Sequence, residues 1–151
     1  MADLTAQTED TAPSYTDIFY GVKDPGGSPL DRKLAYQAML NLLEENPQTG
    51  TTYTLALTDR AKLVSMNNAA ANVVTVPTNA AVAFPIGSSI IIEQLGAGVT
   101  TITGDTGVTI RGGGASVSAG SGAISNRYDI VTLIKRATNT WVAQGSIGAI
   151  A

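Results

Sequence analysis

Over the last two-thirds of the chain, apolar and polar side chains alternate with a period of two. In "TTYTLALT", Tyr53, Leu55 and Leu57 fall on one side, and Thr52, Thr54 and Ala56 on the other. Further short runs follow: "KLVSM", "NVVTVP", "SSIIIEQL", "VTTIT", "GVTIR", "YDIVTLIKR" and "WVAQG". Alternation of this kind sends one face of a strand into a core and the other toward solvent. Between the runs lie "NNAAAN", "PTNAA", "LGAGV", "GDTG", "RGGGAS" and "ATNT", whose Gly, Asn, Asp and Pro supply turn conformations. About eight strands at spacings of roughly 8–12 residues predict an antiparallel β-sandwich or barrel-like domain over 51–151. No internal repeat is visible in the sequence.

The first 50 residues carry a different pattern. Ser28 offers an N-cap, Pro29 suits the first helical position, and Asp31 favours the positive end of the helix dipole. Leu34, Ala38 and Leu42 recur at four-residue spacing and are joined by Met39 and Leu43, which predicts a short helix over about 30–45. Asn46-Pro47 ends it, because a residue before proline avoids the α region. Ahead of the helix runs a polar arm broken by Pro13, Pro25, Gly26 and Gly27, with one sticky stretch, "YTDIFYGV". Three of the five tyrosines (Tyr15, Tyr20, Tyr36) and Phe19 lie in the first 40 residues. Residues 1–50 are therefore expected to be an anchoring arm. Tyr15, Ile18, Phe19, Tyr20, Leu34, Met39, Leu42 and Leu43 are its candidates for contact with a partner or a sister subunit. The alternative is a segment packed on its own domain.

Charge sharpens this division. Residues 1–50 hold eight acids against Lys23, Arg32 and Lys33, whereas the remainder is slightly basic, and the whole chain is −3. An acidic balance argues against a nucleic-acid partner, which calls for a basic patch or stripe. Charged residues make up 14% of the chain, well below the usual ~25%, so much of the surface is small and uncharged. Such a surface fits a protein packed against copies of itself or a partner. The polar opening "MADLTAQTEDT" lacks the basic start and apolar run of a secretory signal, and no apolar run approaches the ~20 residues of a membrane helix. A soluble protein made in the cytoplasm, with no membrane partner, is the expectation.

The candidate chemistry is thin. "KDPGGSP" has the ingredients of a phosphate cradle, but its lysine precedes the glycines, and no Gly-Lys pair exists in the chain. Pro and Gly at adjacent positions match a turn instead. Histidine and cysteine are absent, which removes Ser-His-Asp and Cys-His nucleophiles, disulfides, and His- or Cys-ligated metals. A carboxylate pair would have to come from Asp59, Glu93, Asp105 and Asp129, which nothing brings together in sequence. "GDTG" lacks the spaced acids of a calcium loop. No catalytic residue, cofactor or metal is expected. Trp141, the only tryptophan, is a core or interface anchor or, with Tyr128 and the 111–122 loop, part of a glycan-binding surface.

Two longer stretches carry a resemblance. The segment from "YTLALTDRAKLVSMNNAAANVVTVP" through "GDTGVTIR", and then "YDIVTLIKRATNTWVAQGSI", resembles a β-domain of tailed-bacteriophage virion proteins, met in head fibres, capsid decoration proteins and tail fibres. It covers about residues 52–147, with Leu57-Thr58-Asp59, Val74-Thr75-Val76-Pro77, Phe84-Pro85-Ile86-Gly87 and Gln94 to Gly98 among its marks. "FYGVKDPGGSPLDRKLAYQAMLNLL" is similar to a segment near the virion attachment point of such proteins. The resemblance implies a homotrimeric structural protein without catalytic residues, bound to the major capsid protein or another virion protein. A capsid decoration or cement protein, or a short head fibre, fits a chain of this length better than a tail fibre with a receptor- or glycan-binding tip.

Overall fold

The computed structural model of the chain describes residues 18–20, 33–35 and 43–151. The chain divides into two units, Met1–Leu42 and Leu43–Ala151. In the first, strands β1 (Ile18–Tyr20) and β2 (Lys33–Ala35) pair antiparallel, with Phe19 opposite Leu34. Residues 33–35, expected to be helical, are thus extended. So is the far end of the expected helix, because Glu44–Gln48 forms strand β3. Residues 36–42 lie outside the described residues. Local helix signals are a weak prior, and strand pairing overrides them here. Pro47 fits because β3 is the last strand of its sheet, where a missing N–H costs no ladder bond on the open side.

The second unit continues through β4 (Thr52–Thr54), β5 (Lys62–Met66), β6 (Asn72–Val76), β7 (Ser89–Gln94) and β8 (Thr100–Gly104). Next come β9 (Thr109–Gly112), β10 (Ala115–Ser118), β11 (Ser121–Ala123), β12 (Ile130–Ala137) and β13 (Thr140–Gly145). Each alternating run of the sequence holds a strand. The larger sheet has seven strands in the order β10-β9-β13-β12-β7-β5-β3, and the smaller has four in the order β11-β8-β6-β4. The unit is mainly β, two sheets around one core. Among the described residues no α-helix forms; a single 3-10 turn spans Leu57–Asp59.

Strand direction departs from the expectation. From β3 to β9 the chain crosses from one sheet to the other at every step, and β3–β5, β5–β7, β4–β6 and β6–β8 all pair parallel. The first part of the unit is therefore wound, each strand lying beside its predecessor but one. Within the second unit, antiparallel strand pairing, expected throughout, is confined to β7–β12, β12–β13, β9–β10 and β8–β11, while β9 and β13 run parallel. Period-two alternation sorts side chains between faces but carries no information about the direction of the neighbouring strand. The repeat escapes notice because the steps differ in length: Glu44 pairs with Lys62, Thr52 with Val73, and Leu63 with Ile91.

Inward residues of the two sheets form one cluster. Val64, Ile90, Ile92, Val131, Leu133 and Ile110 from the larger sheet meet Val74, Val76 and Ile102 from the smaller, all fully buried. The corners between strands stack as well. Leu95 and Gly96 donate backbone N–H bonds to Met66 O, and Gly98 donates to Asn68 O at 2.9 Å. A Cβ on Gly98 would lie 1.9 Å from Ala70 O, and one on Gly96 would lie 2.2 Å from Asn68 O. Glycine is required there because one corner's backbone lies directly on the next.

"RGGGAS", one of the turn clusters of the sequence, makes the turn of the β9–β10 hairpin. Gly112 pairs with Ala115 across Gly113 (φ 55°) and Gly114 (φ 86°), the doubly positive turn that suits hairpin twist. The chain end is ordered too. Ala151 and Ser121 exchange backbone hydrogen bonds at 3.0 and 2.9 Å, and Ile150 is buried against Gly120 and Gly122.

Candidate interaction surfaces

The most connected polar cluster sits at the β3 end of the core. Asp59, 1% exposed, is held in the 3-10 turn so that its carboxylate accepts from Ala56 N–H at 2.7 Å, Asn46 Nδ2 at 2.8 Å and Tyr53 OH at 2.9 Å. Asn46 Nδ2 also donates to Tyr53 OH at 2.8 Å, and Gln48 Nε2 to Asn46 Oδ1 at 2.8 Å. Burial, together with the adjacent Asp59 carboxylate, pushes the Tyr53 hydroxyl above its ordinary pKa of 10.0. A buried anion saturated by fixed donors serves the fold, closing the first turn of the winding with satisfied polar groups. The sequence reading of Asp59 as a strand-end acid missed this, because Asn46, Tyr53 and Asp59 all sit among polar neighbours in the sequence and are brought together only by the fold.

A second cluster fixes the long connection between β6 and β7. Lys135 is 2% exposed, on the inward parity of Val131 and Leu133. Its Nζ donates to Phe84 O at 2.7 Å and to Asn79 Oδ1, and lies 5.9 Å from the centre of the Trp141 ring. Asn139 Oδ1 accepts from Asn79 N–H at 2.7 Å, and Phe84 packs edge-on against Trp141 with centroids 5.3 Å apart. Desolvation holds the Lys135 ammonium below its usual pKa of 10.5. Trp141, 1% exposed, belongs to this core. The glycan-surface alternative for it does not hold, because its ring faces Phe84 and Lys135.

The other acids are dispersed. Asp105 caps its own turn through Thr106 N–H at 2.7 Å, and Asp129 accepts from Asn126 Nδ2 at 3.0 Å. Among the described residues no group of three or more metal-ligating side chains forms, and the one ion pair is Lys62–Glu44 at 3.0 Å. Tyr128 is 62% exposed at φ 70°, a left-handed conformation uncommon for an aromatic residue. Arg127 stacks 4.6 Å from its ring centre and donates from Nε to Leu95 O at 2.9 Å.

The outer faces of the two sheets contrast. On the smaller sheet, Thr52, Thr54, Thr75, Thr101, Thr103 and Ser121 point outward, a hydroxyl-rich surface interrupted by Val73 and Ala123. On the larger sheet the outward positions of the central strands are mixed: Leu63, Ile91, Ile134 and Val142 are half-buried and Ile130 is 49% exposed, and between them lie Ser65, Ser89, Glu93, Thr132 and Gln144. Arg111, Arg136 and Gln144 surround a depression of about 440 Å³ floored by Ile134 and Val142.

Of the arm residues singled out in the sequence, Ile18, Phe19 and Tyr20 lie on β1 and Leu34 on β2. Leu43 is 53% exposed, and Tyr15, Met39 and Leu42 fall outside the described residues. No known protein-family model matches the chain, and no curated protein is similar to it. The class that the fold defines is a mainly β, two-sheet domain.

Proposed function

We propose that this chain is a non-enzymatic structural protein of a tailed-bacteriophage virion. In this reading it is a homotrimeric capsid decoration or cement protein, or a short head fibre, made in the host cytoplasm. It attaches to the major capsid protein or another virion protein through residues 1–50, and the β unit stands on the particle surface. The observation that carries the reading is the use made of polar groups in the second unit. Asp59, Tyr53, Lys135 and Asn79 are all engaged in holding strands and connections in place. The outward positions of the smaller sheet carry no charge. The resemblance of residues 52–147 to phage virion β-domains points the same way.

The test is to image purified particles of the source virus with gold-labelled antibody against residues 51–151. Label over the head shell is the expected result; particles without label contradict a virion role. A second reading, a tail-fibre or glycan-binding module, draws on Tyr128, whose exposed ring is held in a strained backbone conformation with Arg127 stacked on it. Label confined to tail tips, with glycan-array binding lost in Tyr128→Ala, selects that reading.

A further inference from the structure

Two basic side chains of the larger sheet carry charges that no acid answers. Among the described residues the one ion pair is Lys62–Glu44, so neither Arg111 nor Arg136 has a carboxylate partner there. Both line the depression of about 440 Å³ floored by Ile134 and Val142, and no acid lines it. Arg111, Val142 and Gln144 also line a neighbouring hollow of about 570 Å³, bounded by Gly113 and Gly114 at the hairpin turn. The two hollows share these three residues and form one groove over β13.

The fold positions each arginine. Arg111 donates from Nε to Ser116 Oγ at 3.2 Å across the β9–β10 hairpin, which steadies the side chain and leaves its terminal nitrogens free among the described residues. Arg136 sits where the β12–β13 register shifts: Lys135 lies opposite Trp141 and Ala137 opposite Thr140, and Arg136 has no residue across from it. Irregularities of this kind re-aim a side chain. Lys135 turns into the core, and Arg136 lines the groove beside Ile134.

Strand registers give the spacing. Val142 lies between Arg111 and Ile134 in one cross-strand row, and Arg136 is two residues beyond Ile134. Two strand spacings of ~4.8 Å and two residues at ~3.3 Å each put the arginine Cα atoms roughly 12 Å apart. An extended peptide shows the same face at every second residue. An acid, an apolar residue and an acid at alternate positions therefore span roughly 13 Å on one face. The two carboxylates meet the two guanidinium forks, and the apolar side chain between them meets Ile134 and Val142. Small-molecule sites are commonly walled by aromatic side chains, and no aromatic ring lines this groove.

We propose that the groove over β13 binds an extended acidic segment of a partner protein. Its carboxylates lie on Arg111 and Arg136, its apolar side chain lies on Ile134 and Val142, and the Gln144 amide serves its backbone. This contact is separate from attachment through residues 1–50 and requires neither a trimer nor a virion.

The probe is a fluorescent capped peptide, Ser-Glu-Thr-Val-Thr-Glu-Ser, titrated with the full chain and followed by anisotropy, with amide NMR locating the contact. Saturable binding that weakens as salt rises is expected, with shifts confined to residues 111–115, 134–136 and 142–145. Arg111→Gln/Arg136→Gln is expected to weaken binding at least tenfold, and so is exchange of both peptide Glu residues for Gln. Arg60→Gln, which alters an exposed arginine that does not line the groove, leaves binding unchanged. The amide spectrum of each variant reports its fold. Binding undiminished in the double variant, shifts located elsewhere, or no saturation at millimolar concentration overturns the proposal. Polyglucuronate is titrated in parallel. Binding of that polymer but not of the peptide, lost in the double variant, overturns the peptide partner in favour of an acidic polysaccharide.

Discussion

Two residues show how the unit uses buried polarity. Tyr53 donates to a carboxylate that is itself almost wholly buried, so Tyr53→Phe leaves Asp59 short of a donor and is expected to destabilise by about 1–3 kcal/mol, read from denaturant midpoints. The same tyrosine gives the unit an alkaline limit. Its folded pKa lies above the unfolded value of 10.0, so the folded state keeps a proton that the unfolded chain has lost. Stability from this group is whole below pH 10 and falls as pH rises through 10 toward the folded value. Tyr53→Phe is expected to flatten that part of the curve. Lys135 has the opposite sign. Its folded pKa is below 10.5, so burial of the charged form costs stability at neutral pH, and the cost lifts as pH rises through the folded value toward 10.5. Lys135→Met is expected to leave Phe84 O and Asn79 Oδ1 without their donor, and faster amide exchange over residues 77–88 is the readout. Neither role was legible in the sequence. Asp59 and Lys135 look like surface charges there, and only the inward parity with Val131 and Leu133 hints at the lysine's burial.

At the scale of elements, sequence and structure agree where the signal is alternation and part where it is composition. The runs from Tyr53 to Gln144 hold strands because their branched aliphatics need a covered face. β10 and β11 escaped notice because "ASVS" and "SGA" carry small residues with little preference of their own, and they are strands only by pairing with β9 and β8. β3 escaped because "EENPQ" is polar and contains proline, and β5 beside it supplies the reason it is extended. The corners carry the heaviest constraint. Gly98→Ala pushes a methyl group into Ala70 O, a backbone atom that cannot swing aside, and is expected to lower unfolding free energy by about 1–3 kcal/mol or more. Gly107→Ala makes a useful control: a Cβ there meets nothing within 4 Å, and only the φ of 86° opposes it.

For the whole molecule, the β-rich class was readable from the chain, but the winding was not, since parallel and antiparallel neighbours leave the same alternation in a strand. Winding matters for stability because each turn rests on the next, and the ends of the stack need closing. The Asp59 network closes one end. At the other, Ile150 fills the space over Gly120 and Gly122, so Ile150→Ala is expected to cost about 2–5 kcal/mol, measured by chemical denaturation. What such a stack offers to other molecules is the outer faces of its sheets, one rich in hydroxyls and one mixing aliphatic, polar and charged side chains. The native mass of the untagged full chain, followed by light scattering from high to low micromolar concentration, tests most directly whether those sides are built for assembly. The expected result is a mass of three chains throughout; a mass of one chain at every concentration contradicts it.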